Sequence, residues 1–227
     1  MWKVSAEFTL KFEQAIKFFR SKTPITDDEF KTLEGLAKTR AFTVAGIAQL
    51  DLVQDVFDGI TTALEDGTDF KTFKQTLASS LSTAWGTSEK IAGFKLERIY
   101  RTNLQTAYSA GRITQLTNPD VLKARPYWMF DAVLDKRTSN VCSSASGTIL
   151  DASDSWWSTH TPPLHYFCRS GLRSLTTRAA AKKGITTNPP DVKAGEGFGE
   201  TPALNAWEPN LEKYDSGLLE TYKEKQP

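Results

Sequence analysis

The chain is poor in sulfur and imidazole: among 227 residues there are two cysteines, two histidines and two methionines. Two cysteines can form at most one bridge, so a disulfide framework does not hold a chain of this size together, and reduced thiols are the default. No apolar run approaches the roughly 18 residues that a membrane span needs. Residues 1–10 lack the basic-then-apolar pattern of a secretory signal, so the expectation is a protein made and kept in a cytoplasm, with no membrane partner. Charge of one sign is also missing. A formal net charge of +1 predicts neither a nucleic-acid coat nor an enzyme steered toward acidic substrates. There is no Gly-rich phosphate loop, no Gly-x-Ser-x-Gly elbow, no His-Glu-x-x-His, no internal repeat and no heptad pattern.

The few soft ligands present are gathered in one stretch. Cys142, His160, His165 and Cys168 all fall within residues 127–170, among Asp131, Asp135, Arg137 and Arg169 and a run of aromatics. His165-x-x-Cys168 sets two ligands close enough to share one ion from a turn, and Cys142 can supply a third. Zinc takes four such ligands in a structural site and three plus water in a catalytic one, which leaves His160, Asp135 or solvent for the fourth position. Three other readings stand beside it. The thiols can be small buried hydrophobes with a backbone-bonded histidine; Cys142 and Cys168 can form a disulfide; or Cys142, His165 and Asp135 can act as nucleophile, base and orienting carboxylate, although no cysteine-hydrolase signature surrounds Cys142.

Periodicity divides the chain into three. Residues 1–88 read as helical: apolar positions at Phe8, Phe12, Ile16 and Phe19, a capping box at Thr26 and Glu29 opening a helix over 27–40, a third helix over 48–65, and a fourth capped by Asp69. The aromatic stripes of these helices are core or partner surface. Ser88 caps the longest helix, 89–116, on which Arg101, Gln105 and Arg112 share a face while Ala107, Ser109, Ala110 and Gly111 let another backbone approach closely. Asn118-Pro119-Asp120 ends it. A strand over 127–134, a turn over 135–140, short strands over 147–150 and 171–177 and a helix over 177–183 complete a second unit, residues 89–187. Residues 188–227 form an extended Gly/Pro-containing tail anchored by Phe198, Leu204, Trp207 and Tyr214. The fold class is therefore α+β. Charge follows the same division: residues 91–187 carry 13 Lys/Arg against 6 Asp/Glu, whereas 1–90 carry 11 against 13 and 188–227 carry 4 against 8. A basic middle suits phosphate or an acidic protein surface, unless the acidic flanks fold back and neutralise it.

Three blocks in one order carry a family resemblance. Arg101-Thr-Asn-x-Gln-x-Ala-Tyr108-x-x-Gly-Arg112, then Trp128-x-x-Asp131-x-x-x-Asp135-x-Arg137-Thr-Ser-x-x-Cys142, then Pro162-Pro163-x-His165-x-x-Cys168-Arg169-Ser170 resemble the minor head proteins of tailed phages, the phage Mu F type, over about residues 90–180. The resemblance implies a virion component of few copies, assembled in the host cytoplasm and acting in head morphogenesis. It implies portal and capsid proteins as partners and, for Arg101, Gln105 and Arg112, non-specific contact with packaged double-stranded DNA. It implies no enzymatic activity, and it strengthens the expectation of a structural zinc clasp at Cys142, His165 and Cys168, with Asp135 as a further ligand or as the residue ordering the turn, and Arg169 reaching back to Asp131 or Asp135. Asp131, Arg137 and Arg101 stand as structural parts of the motif. The rival class is a metal-dependent hydrolase or nuclease working through the same Asp, Cys and His cluster.

Overall fold

Helical periodicity and side-chain caps set the first half of the chain, and the computed structural model, which describes residues 12–33 and 37–200, shows how. Helix α1 (Glu13–Arg20) buries Ala15, Ile16 and Phe19; Phe8, expected on the same stripe, lies outside the described residues. A two-residue strand, β1 (Thr23–Pro24), pairs in parallel with β2 (Ala41–Phe42). Between them, α2 (Asp27–Thr32) opens on the Thr26–Glu29 capping box. The single helix expected to reach residue 40 is two: Leu33 adopts an extended backbone that closes α2, and α3 (Ala37–Arg40) follows. Helix α4 (Leu50–Asp66) stops at Gly67, whose φ of 73° is the left-handed cap that glycine adopts without steric cost. Helices α5 (Phe70–Ala84) and α6 (Glu89–Leu116) start on the Asp69 and Ser88 side chains.

The aromatic stripes are core. Phe19, Phe42, Phe57 and Phe73 are buried with Val53, Val56, Ile60, Leu77 and Leu81 in one cluster, and Phe19 stacks on Phe57 at 4.9 Å. Helix α6 belongs to this cluster through Leu96 and Ala107. Its last turns belong to another, in which Ile113 and Leu116 pack with Trp128, Phe130, Trp157, Leu164 and Leu172. Helix α6 thus contributes to both packing clusters. The small residues on α6 do admit a backbone, that of α1: a Cβ at Gly111 would meet Ala15 N at 2.7 Å.

Asn118-Pro119-Asp120 ends α6 and at once begins α7 (Pro119–Ala124), with Asn118 as cap and the proline in the first turn, where its missing N–H has no partner to lose. Three antiparallel strands follow, β3 (Tyr127–Asp131), β4 (Ile149–Asp151) and β5 (Gly171–Leu175), in the order β4-β3-β5. Strand β3 is covered on both faces. Trp128 and Phe130 enter the second core, and Met129 packs with Ile149 and with Ala180 of α10 (Thr177–Lys183). The strand stops at Asp131, short of the expected 134, and Val133 and Leu134 stand exposed. Two short helices fill the connections, α8 (Asn140–Ala145) and α9 (Trp157–His160).

Strand β5 is an edge, and its outward carbonyls are taken by side chains. Gln105 donates to Ser170 O at 2.7 Å, Arg112 to Leu172 O at 3.3 Å and Arg125 to Ser174 O at 3.2 Å, alternate residues as the pleat requires. The first part of the predicted tail, residues 188–200, is laid across the site loop: Gly195 N–H donates to Leu164 O, Thr161 N–H to Gly199 O, and Phe198 meets the Tyr166 ring edge-on at 4.9 Å. Leu204, Trp207 and Tyr214 lie outside the described residues. Among the described residues, no helix is long and apolar enough to cross a membrane.

Candidate metal centre

Residues 135–140, read from sequence as a turn, hold the device that positions Cys142. Asp135 accepts the Arg137 N–H at 2.8 Å and Thr138 closes the turn onto Val133 O at 2.5 Å. Ser139 then caps α8, its Oγ accepting the Cys142 N–H at 3.2 Å. Opposite, His165 and Cys168 lie on a tight turn closed by Cys168 N–H to His165 O. Phe167 makes that turn possible in the left-handed region, at φ 60°, where a bulky residue is uncommon.

Among the described residues, Cys142, His165 and Cys168 bring one ligand atom each to within 4.8 Å of one another. The sulfurs are 3.6 Å apart, far beyond a disulfide and close to the separation of about 3.8 Å that two zinc–sulfur bonds of about 2.3 Å subtend at a tetrahedral angle. His165 Nε2 lies 3.1 Å from Cys142 Sγ. Its Nδ1 is 2.7 Å from Tyr166 O, and a carbonyl only accepts, so Nδ1 carries the hydrogen. That leaves Nε2, the nitrogen facing the sulfurs, with its lone pair free to receive the Ser139 hydroxyl at 2.7 Å or a metal. The residue set therefore fits a zinc ion.

The two sulfurs do not ionise alike. The hydrogen bond shared with Cys142 lowers the Cys168 pKa to about 5; burial opposes this, and the backbone N–H groups of Leu164 and Ser170 assist it. The same hydrogen bond, and then burial, push the Cys142 thiol far up.

Asp135, counted among the ligands from sequence, stands apart from this group. Both of its oxygens are taken by Arg169, at 2.6 and 2.7 Å, and the guanidinium, with the Arg137 N–H, holds its carboxyl well below the usual carboxylate range. Arg169 therefore reaches back to Asp135; Asp131 is paired with Arg173 at 2.6 Å. Arg137 is mostly exposed, 3.8 Å from Asp135. His160 is elsewhere too, stacked on Trp156 at 4.0 Å with its Nε2 2.8 Å from Val192 O. The hollow over the cluster, walled by Ser139, His165, Phe167 and Arg169, is small, with room of about 10 Å³ for water. Of the residues expected at DNA, Gln105 and Arg112 hold β5, and Arg101 is exposed and paired with Glu97 at 2.7 Å.

Sequence reasoning missed Ser139 and Phe167. The spacing Ser-x-x-Cys, a cap before Cys142, was the signal for the first; a left-handed phenylalanine leaves none.

A family model described as "Phage Mu protein F like protein" matches residues 54–173. The chain is 30% identical over 209 residues to "Putative capsid assembly protein F" of Escherichia phage Mu, across 86% of this chain and 46% of that protein. It is also 30% identical over 178 residues to "Mu-like prophage FluMu F protein" of Haemophilus influenzae, across 74% of this chain and 42% of that protein. The chain thus spans less than half the length of these curated relatives. No solved structure matches it significantly.

Proposed function

The chain belongs to the phage Mu protein F-like family, and from that premise we propose that it is a minor head protein of a tailed phage or prophage, acting in capsid assembly and carried in the virion. The observation that carries this reading is the 30% identity over 209 residues to a phage Mu protein named for capsid assembly. Its role is structural, and its partners are the portal and capsid proteins.

The helical half supplies the partner surface in this reading. Its aromatics are spent on the core, so the face left for a partner is polar: Asp51, Asp55 and Asp58 stand exposed along α4. An acidic face meets protein and not phosphate, since each neutralised phosphate requires a Lys or Arg. Duplex DNA is a secondary partner, met by the basic middle. With Gln105 and Arg112 engaged at β5, that contact is weak, independent of sequence and steeply weakened by salt.

The Cys142, His165 and Cys168 cluster is a zinc clasp in this reading, and it ties α8 to the loop before β5. Co-purification from cells making the whole head gene set tests the assignment. Portal or capsid protein should accompany the tagged chain, and the charge reversals Asp51→Lys, Asp55→Lys and Asp58→Lys should release it without changing the melting temperature. Absence of the chain from purified particles, or cleavage of plasmid DNA by the purified protein with divalent metals, would remove the reading.

A further inference from the structure

A groove of about 500 Å³ opens where α6 runs into α7 beside β5, lined by Gln14, Arg112, Gln115, Asn118, Arg125 and Ser174 among others. Its walls are rich in donors and hold no anion. Arg112 gives its Nε hydrogen to Leu172 O at 3.3 Å and one terminal N–H to Gln115 Oε1 at 3.4 Å, and Arg125 gives one to Ser174 O at 3.2 Å. A guanidinium carries five N–H donors, so both forks keep others free. Among the described residues, neither arginine is paired with a carboxylate, and none lines the groove. The sequence around β5 supplies none either: residues 155–190 hold five Lys/Arg and no Asp or Glu.

The strand edge adds backbone donors. Phe130 donates to Thr148 O and accepts from the Gly147 N–H, both on the β4 side. Leu172 stands opposite Phe130 and Ser174 opposite Trp128, so both turn their own N–H and C=O away from β3. The two carbonyls are met by Arg112 and Arg125, whereas the two N–H groups have no acceptor among the described residues. Unpaired N–H groups beside two unneutralised cations suit one kind of ligand, an oxyanion. A carboxylate offers two oxygens and is filled by a single fork; a phosphate group offers a third and serves two forks at once. We propose that this groove is a phosphate site, with the anion held between the Arg112 and Arg125 guanidiniums and the Ser174 N–H as a further donor. The phosphate belongs either to a free ion or nucleotide or to the backbone of duplex DNA, and the recognition chemistry is the same for both. The site is independent of the assembly role proposed above, which rests on kinship and on the acidic face of α4.

Titration of the full chain in chloride buffer with inorganic phosphate, by calorimetry, and with a duplex of arbitrary sequence, by gel shift, tests the site and separates the two sources. The native chain should bind at least one probe saturably, and Arg125→Gln should weaken that binding about tenfold, the worth of one charged hydrogen bond. Gln115→Glu keeps the oxygen that Arg112 bonds, so it should leave the melting temperature unchanged while its carboxylate blocks the groove at least as strongly. Loss of phosphate binding in both variants assigns a free ion or nucleotide. A response of the duplex alone, with the slope of log affinity against log salt reduced by about one in Arg125→Gln, assigns the DNA backbone. No saturable binding of either probe by the native chain would overturn the proposal, as would binding that both variants leave unchanged. So would a duplex affinity that Arg178→Gln, on the exposed side of α10 and outside the groove, lowers as much as Arg125→Gln does.

Discussion

The side-chain amide of Gln105 donates to the backbone carbonyl of Ser170 at 2.7 Å, across 65 residues of sequence. About two turns further along α6, Arg112 does the same for Leu172, so the longest helix seals the open edge of the sheet with side chains and not with another strand. Replacing Gln105 by alanine is expected to cost about 1 kcal/mol, the net worth of one such bond, and Arg112→Ala about 1.5–3 kcal/mol because its donor is charged. Urea melts check both, and Arg101→Ala, on the exposed face, should move the midpoint little.

Protein made without a histidine tag should carry about one zinc per chain, with Cys168→Ser and His165→Ala each releasing it. Chelation should lower the melting temperature of the native chain and leave that of Cys168→Ser unchanged, since a structural ion contributes to folding only where its site exists. Two titratable thiols with no metal would sink the clasp; no titratable thiol would point to a Cys142–Cys168 disulfide.

Gly111 and Gly93, both on α6, should respond oppositely to alanine. At Gly111 the new methyl meets the backbone of α1, which cannot swing aside, and a loss of about 1–3 kcal/mol is expected. At Gly93 the nearest atoms are the far end of the Lys74 side chain. That chain can move, so the change should be neutral or gain up to about 1 kcal/mol from helix propensity. Thermal melts of the two variants decide it.

Acid should loosen the N-terminal region through Asp27. The Lys31 ammonium at 2.9 Å and the Gly46 N–H at 3.0 Å hold its carboxyl below the ordinary range. A depressed folded pKa means that the stabilisation is present above the unfolded value, about 3.9, and is lost as pH falls through the folded one. Below pH 4 the native chain should therefore lose stability that Asp27→Asn lacks at neutral pH, and the two melting curves should converge. Persistence of their difference at pH 2 would refute the assignment.

Much of the fold was legible because the signals are local. Thr26, Asp69 and Ser88 are caps whose side chains bond within three residues of themselves, and they mark helix starts without tertiary knowledge. Where one residue serves two purposes the reading fell short. Pro119 was taken as a stop when it is also a start, and Ser139 and Asn140 read as turn residues although they open α8. The Cys/His cluster was legible from composition, and the His-x-x-Cys spacing set His165 in it, but His160 was left open as a fourth ligand; its stack on Trp156 places it in the core of the loop instead. Gln105 and Arg112 were read for DNA because their partners are backbone carbonyls, which leave no mark in a sequence.

Helix α6 places Leu96 and Ala107 in one core and Ile113 and Leu116 in the other. For heredity this means that neither half of the molecule is a transferable unit. A recombination event with its breakpoint at residue 88 would hand a descendant the bundle without its closing helix, and one inside residues 89–116 would join two helix faces never selected together. A breakpoint outside residues 13–116 keeps α1, its close contact at Gly111 and the whole of α6 from one parent.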